Sequence, residues 1–239
     1  MPSLPTILFV PGAWHSPECL RKVVDRLEGV GSETDPVHLL STGPAQHLLD
    51  FTADVAHIRG HIQRLVNADK NVVVVAQSYG GVPSNEAIEG LAWATRQGNG
   101  QDGGVIHIFC CCSAFGGDDL PWLEVSGDRL EAKPTTPDKI FYNAMPDIEV
   151  RNATDALKPH SYPAFHSPCT YAAWKDVPST YLYCLKNAAI PLPVQKMMVE
   201  EWAQGYPIGT ESVDASHSPF YSVPDEVTAA IRRAAGEDI

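Results

Sequence analysis

Basic residues are scarce. Seventeen Lys and Arg stand against 29 Asp and Glu, a formal charge of −12. A surface of that sign repels phosphate backbones and anionic lipid, so neither nucleic acid nor a membrane is an expected partner. Long apolar runs are missing as well: no stretch approaches the roughly 18 residues that cross a bilayer. Met1 to Val10 lacks the basic start and long apolar core of a secretory signal, and a cytoplasmic location is expected. Patterned cysteine is the third absence. Cys110, Cys111 and Cys112 are consecutive, whereas Cys19, Cys169 and Cys184 are scattered, which is neither a disulfide framework nor zinc-site spacing. Consecutive residues on a strand face opposite ways, so the triplet reads as small core residues, and no metal or other cofactor is expected. The sequon at Asn152 to Thr154 means little without a secretory signal. What remains is ample for folding: 239 residues, 44% hydrophobic and 19% charged, describe one globular α/β-sized domain with a sizeable core.

Apolar periodicity sets out the elements. Ile7 to Val10 reads as a buried strand ended by Pro11 and Gly12, and Leu20, Val23, Val24 and Leu27 then fall at helical spacing. A weaker strand is expected over Glu33 to Leu39 and a helix from about Asp50. Asn71 to Ala76 is an uninterrupted β-branched stretch, the pattern of a parallel strand buried on both faces. Val105 to Cys112, Thr180 to Leu185 and Thr210 to Val213 add three strands, so the alternation implies an open, mostly parallel α/β sheet flanked by helices. Proline and scattered aromatics break this rhythm from about 116 to 175. That segment is read as a cap inserted over the C-terminal edge of the sheet in a single domain spanning 1–239; a surface excursion with no role is the alternative.

Three features carry chemistry. In Ala76-Gln77-Ser78-Tyr79-Gly80-Gly81 a serine stands between small residues where a strand must give way to a helix, the setting of a nucleophile elbow; the plainer reading of Ser78 is a helix N-cap. A serine hydroxyl needs a base to take its proton. Of nine histidines, His217 alone follows the last strand and so returns to the edge that bears Ser78. His57 and His61 lie four apart on a helix without an adjacent Glu or a third ligand, and a solvent-facing position is expected of them. The backbone amides of Tyr79, just after the nucleophile, and of Ala13, in the turn after the first strand, are the expected oxyanion hole. Trp14, Trp122 and Tyr142, with Phe141, Phe165, Tyr171 and Trp174, are read as an apolar substrate pocket, although aromatics serve cores equally well.

Phe9-Val-Pro-Gly12-Ala-Trp14-His, Gln77-Ser78-Tyr79-Gly80-Gly81 and His217-Ser-Pro219 together resemble the α/β-hydrolase superfamily. Within it they are similar to the small-cap branch of plant hydroxynitrile lyases and salicylate-type methylesterases and to its fungal relatives. The resemblance implies an α/β-hydrolase fold and a catalytic Ser78 and His217. It also implies an aspartate about eight residues before Gln195, where this chain has Asn187. An Asp-to-Asn change at this role has cost a serine protease about 10⁴ in turnover, chiefly through the wrong histidine tautomer.

Four readings stay open. Asn187 itself accepts from His217, giving a Ser-His-Asn hydrolase of a small apolar carboxylic ester or lactone. An acid arrives from Asp118 or Asp119 instead. Or the scaffold has become a lyase, cyclase or isomerase with His217 as general base, or a non-catalytic small-molecule binder. The expected partner is a small-molecule substrate, and a homodimer is an open alternative.

Overall fold

The computed structural model describes residues 4–111 and 120–239. Its strands in chain order are β1 (Thr6–Val10), β2 (Thr34–Pro36), β3 (Asn71–Gln77), β4 (Gly104–Cys111), β5 (Leu123–Val125), β6 (Glu131–Pro134), β7 (His160–Ser161), β8 (Ser179–Cys184) and β9 (Ile208–Val213). Six of them form a parallel sheet in the order β2-β1-β3-β4-β8-β9. The β-branched run of β3 lies between β1 and β4, where both faces must be covered, and Val72, Val73 and Val74 are wholly buried.

Period-two alternation divides these strands between two cores. Leu8, Val10, Val72 and Val74 pack with Ile58, Ile62 and Leu65 of α2 (Thr52–Val66), whereas Ile7, Phe9, Val73 and Val75 pack with Val23, Val24 and Leu27. The latter three belong to α1 (Arg21–Gly29), the helix that the spacing of Leu20, Val23, Val24 and Leu27 predicts, and a 3₁₀ turn over Pro17–Leu20 leads into it. The same alternation parts two of the cysteines: Cys110 packs against the first core and Cys111 sits in the second, while Cys112 lies outside the described residues. The expected strand over Glu33 to Leu39 contracts to three residues. Pro36, which lacks an N–H, is tolerated because this strand lies at the sheet edge, and Val37 N–H still donates to the Phe9 carbonyl at 2.8 Å before the pairing stops.

Between β4 and β8 the chain leaves the sheet and builds a second one, antiparallel, in the order β5-β6-β7. Backbone bonds sew it to the core. Lys158 N–H donates to the Trp14 carbonyl (2.9 Å), Ser161 N–H to Ser41 O (2.8 Å) and Gly43 N–H to Pro159 O (2.7 Å), and the Trp14 indole donates to Ala132 O (2.8 Å). The fold is therefore a mostly parallel sheet flanked by helices, with a small antiparallel insert, the cap segment, between β4 and β8. No helix among the described residues is long and apolar enough to cross a membrane.

Two histidines are buried in these seams. Desolvation holds His15 down at about 4 and His160 at about 3, against 6.5 in water. The unfolded chain therefore binds protons near pH 6 that the folded chain refuses. Stability should depend little on these two groups above pH 7 and should fall on acidification below pH 6 by up to about 1.4 kcal/mol per pH unit for each, the His15 contribution fading toward pH 4 and the His160 contribution toward pH 3. Urea unfolding at pH 7, 6 and 5 checks this, with His160→Phe expected to flatten the slope.

Candidate active site

The site begins at the end of β3. Ser78 has φ 51°, a left-handed conformation that costs a non-glycine residue energy and turns its side chain out of the strand path. A 3₁₀ turn over Ser78–Gly80 follows and leads into α3 (Gly81–Ile88), so the serine stands on a sharp strand-to-helix elbow. The bend needs glycine at 80, because a Cβ there would meet the Pro11 carbonyl oxygen at 2.3 Å.

His217 arrives from the loop after β9 and is 2% exposed. Its Nε2 lies 3.0 Å from Ser78 Oγ, and its Nδ1 lies 3.2 Å from Asn187 Oδ1. Asn187 follows β8 and is itself buried. A carboxamide can in principle present either its oxygen or its nitrogen to the ring. Here two backbone donors decide: Ala189 N–H and Ile190 N–H both reach Oδ1, at 3.0 and 2.9 Å. The oxygen must face them, and so it also faces His217 Nδ1. That nitrogen then carries the hydrogen, which leaves Nε2 with a free lone pair toward the serine hydroxyl. The amide nitrogen of Asn187 is buried and has no partner among the described residues.

Over the serine lies a cavity of about 310 Å³ bounded by the cap and by the chain after Asn187. Ala13, Tyr79, Trp14 and Trp122 line it, and the Trp14 and Trp122 rings meet edge to face at 5.9 Å. Phe141 sets its ring 5.3 Å from that of His217. Among the described residues, no Asp, Glu, Lys or Arg contributes to the lining. Tyr142 is placed elsewhere: it is fully buried and its hydroxyl lies 2.9 Å from His15 Nε2, away from the cavity. Asp118 and Asp119 lie outside the described residues.

Several residues around the site gave no sequence signal of a role. Val194, Met198 and Trp202 wall the cavity from a helical stretch beginning at Leu192, and Tyr162 and His166 wall it from the cap. Asp54 is wholly buried on α2 and accepts from the Tyr79 hydroxyl at 3.0 Å and from Ser41 Oγ at 2.5 Å, tying the elbow to the helix below it. Gln77 could have been noticed as a polar residue at the end of an otherwise apolar strand. His57 and His61 are half-buried and not wholly solvent-facing; His61 pairs with Asp35 at 3.0 Å, and no group of three potential ligands occurs among the described residues.

An elbow serine, a loop histidine and a buried acceptor on a parallel sheet define a hydrolase class, and a family model described as the alpha/beta hydrolase family matches residues 7–230. The chain belongs to that family and is an enzyme of the α/β-hydrolase type. It is 32% identical over 250 residues to the alpha/beta hydrolase nvfD of Aspergillus novofumigatus, with 98% of each chain covered. It is 25% identical to the pFDCC methylesterase MES16 of Arabidopsis thaliana, covering 95% of this chain and 93% of that one. The crystal structure of a methylesterase MES16 from Arabidopsis matches with a TM-score of 0.78 at 22% identity, covering 98% and 99% of the two chains. Tomato methylketone synthase I complexed with 2-tridecanone matches with a TM-score of 0.79 at 14% identity, covering 98% of each.

Proposed function

We propose that this enzyme cleaves a small, uncharged carboxylic ester or lactone through a Ser78-His217-Asn187 site. The observation that carries the reading is the hydrogen-bonded chain from Ser78 Oγ through His217 to an Asn187 oxygen pinned by two backbone amides. Ser78 Oγ attacks the carbonyl carbon while His217 Nε2 takes its proton. The amides of Ala13 and Tyr79 hold the oxyanion that develops. The imidazolium returns the proton to the departing alcohol; water then attacks the acyl carbon as His217 takes its proton, and the imidazolium passes that proton to Ser78 Oγ as the acid leaves. Asn187 keeps the ring in the productive tautomer throughout. The methylesterase among the relatives supports ester cleavage as the reaction.

The cavity sets the substrate class. A carboxylate or ammonium entering a chamber whose described walls carry no Asp, Glu, Lys or Arg loses its hydration and gains no counter-ion from them. A neutral short aryl ester should therefore exceed an analogue of the same size bearing a carboxylate by at least roughly tenfold in kcat/KM. Equal values would place the acyl group outside this cavity.

The missing carboxylate at 187 is the one observation that favours a second reading, a lyase or cyclase in which His217 only moves a proton on the substrate. Fluorophosphonate labelling followed by intact mass, run beside aryl-ester turnover, separates the two. Labelling at Ser78 with turnover of the ester is the expected result. A folded protein that neither labels nor turns over the ester would overturn the hydrolase and favour the second reading.

A further inference from the structure

We propose that the Gln77 carboxamide is a positioning residue that holds the oxyanion loop and the general base in register with the nucleophile, an inference that rests on the hydrolase reading above. Gln77 is the last residue of β3 and is 2% exposed. Its Oε1 accepts from Gly12 N–H at 2.7 Å, and its Nε2 donates to the His217 carbonyl at 3.4 Å. The first contact reaches the loop after β1 and the second the loop after β9, so one side chain spans both loops from the strand that delivers Ser78.

Both ends of the amide are needed. Gly12 N–H requires an acceptor and the His217 carbonyl a donor, which fixes the orientation of the group. The fit is tight: a Cβ on Gly12 would lie 2.8 Å from Gln77 Oε1 and 2.9 Å from Ser78 Cβ. The Ala13 amide sits one Cα beyond the tethered Gly12 nitrogen. On its other side, the Ala13 carbonyl accepts from His15 Nδ1 at 2.8 Å, and burial keeps His15 neutral for that role. The oxyanion donor is thus held between two anchored groups, and Gln77 supplies the anchor that also reaches the base. Methionine matches glutamine in reach but offers neither polar function, and asparagine has both functions but is one methylene too short for both loops. A neutral histidine carries one donor and one acceptor.

The experiment compares wild type, Q77M, Q77N and Q77H. The readouts are kcat and KM for a neutral aryl ester, inhibition by an aryl trifluoromethyl ketone and urea unfolding. The ketone binds by forming an oxyanion on Ser78, so it reports the oxyanion geometry directly. Misplacing a donor by about 1 Å costs on the order of 100-fold. Q77M and Q77N are expected to lose about 10- to 100-fold in kcat, with KM nearly unchanged and ketone affinity falling in step. Q77H is expected to recover most of the loss. Wild-type kcat and ketone affinity in folded Q77M, or in Q77N should Q77M not fold, would overturn the proposal, as would a fall in stability alone. A wild type inert to both ester and fluorophosphonate would instead remove the hydrolase reading on which it rests.

Discussion

Ser78→Ala should abolish covalent labelling and lower ester turnover by roughly 10⁴- to 10⁶-fold, the range seen when a nucleophile that works as a unit with its base is removed. The substitution deletes one oxygen atom and keeps the Cβ, so the strained φ of 51° and the packing of the elbow stay as they are. The loss should therefore appear with little change in the urea midpoint. His217→Ala should label slowly and lose nearly as much, because a hydroxyl 3.0 Å from no base is a poor nucleophile. The double variant is the sharper test. If the pair acts as one device, Ser78→Ala with His217→Ala will be no slower than Ser78→Ala alone, and the residual rate will be that of the cavity and the backbone amides. Labelling of His217→Ala at the wild-type rate would show that another group activates the serine. Intact mass for the adduct and steady-state turnover for the rate suffice for all three variants.

The parts of this site that could be read in the sequence are those that local physics forces. A strand buried on both faces requires an unbroken apolar run, and Val72 to Val75 supply it in one stretch. A serine between small residues after such a strand has few other places to be, and only one histidine follows the last strand. The rest depends on contacts between distant segments. Trp14 and Tyr142 are equally plausible as pocket aromatics by composition, yet one lines the cavity and the other is sealed behind it against His15. Nothing in the spacing of either distinguishes them. Proline erases helical and strand periodicity between β4 and β8, so the three short strands there and their antiparallel order leave no mark in the sequence pattern. The largest gap concerned Asn187. Its identity raises the objection of a wrong tautomer, and the answer lies in the amides of residues 189 and 190, which no side-chain pattern reveals.

That answer gives Asn187→Asp a definite expected result: faster and less stable. On the proposed Ser-His-Asn reading Asn187 already sets the tautomer, so what asparagine withholds is the negative charge beside the imidazolium that forms as Ser78 gives up its proton. Unit charges about 4 Å apart interact by about 4 kcal/mol at an effective dielectric constant of 20. Part of this is lost to desolvation of the new carboxylate, leaving a gain in kcat on the order of 100-fold. The carboxylate keeps the contacts of Oδ1 with Ala189, Ile190 and His217, but its second oxygen takes the buried place of an amide nitrogen that has no partner among the described residues. An uncompensated buried acceptor costs about 1–3 kcal/mol, which should appear as a lower urea midpoint. Asn187→Ala should move both quantities downward, since it frees the tautomer and orphans two backbone donors. The opposite signs of the two effects in Asn187→Asp are the diagnostic, because a purely structural asparagine has no means of raising kcat. Unchanged turnover in Asn187→Asp, together with loss of activity in Asp118→Ala or Asp119→Ala, would transfer the supporting role from Asn187 to an acid after β4.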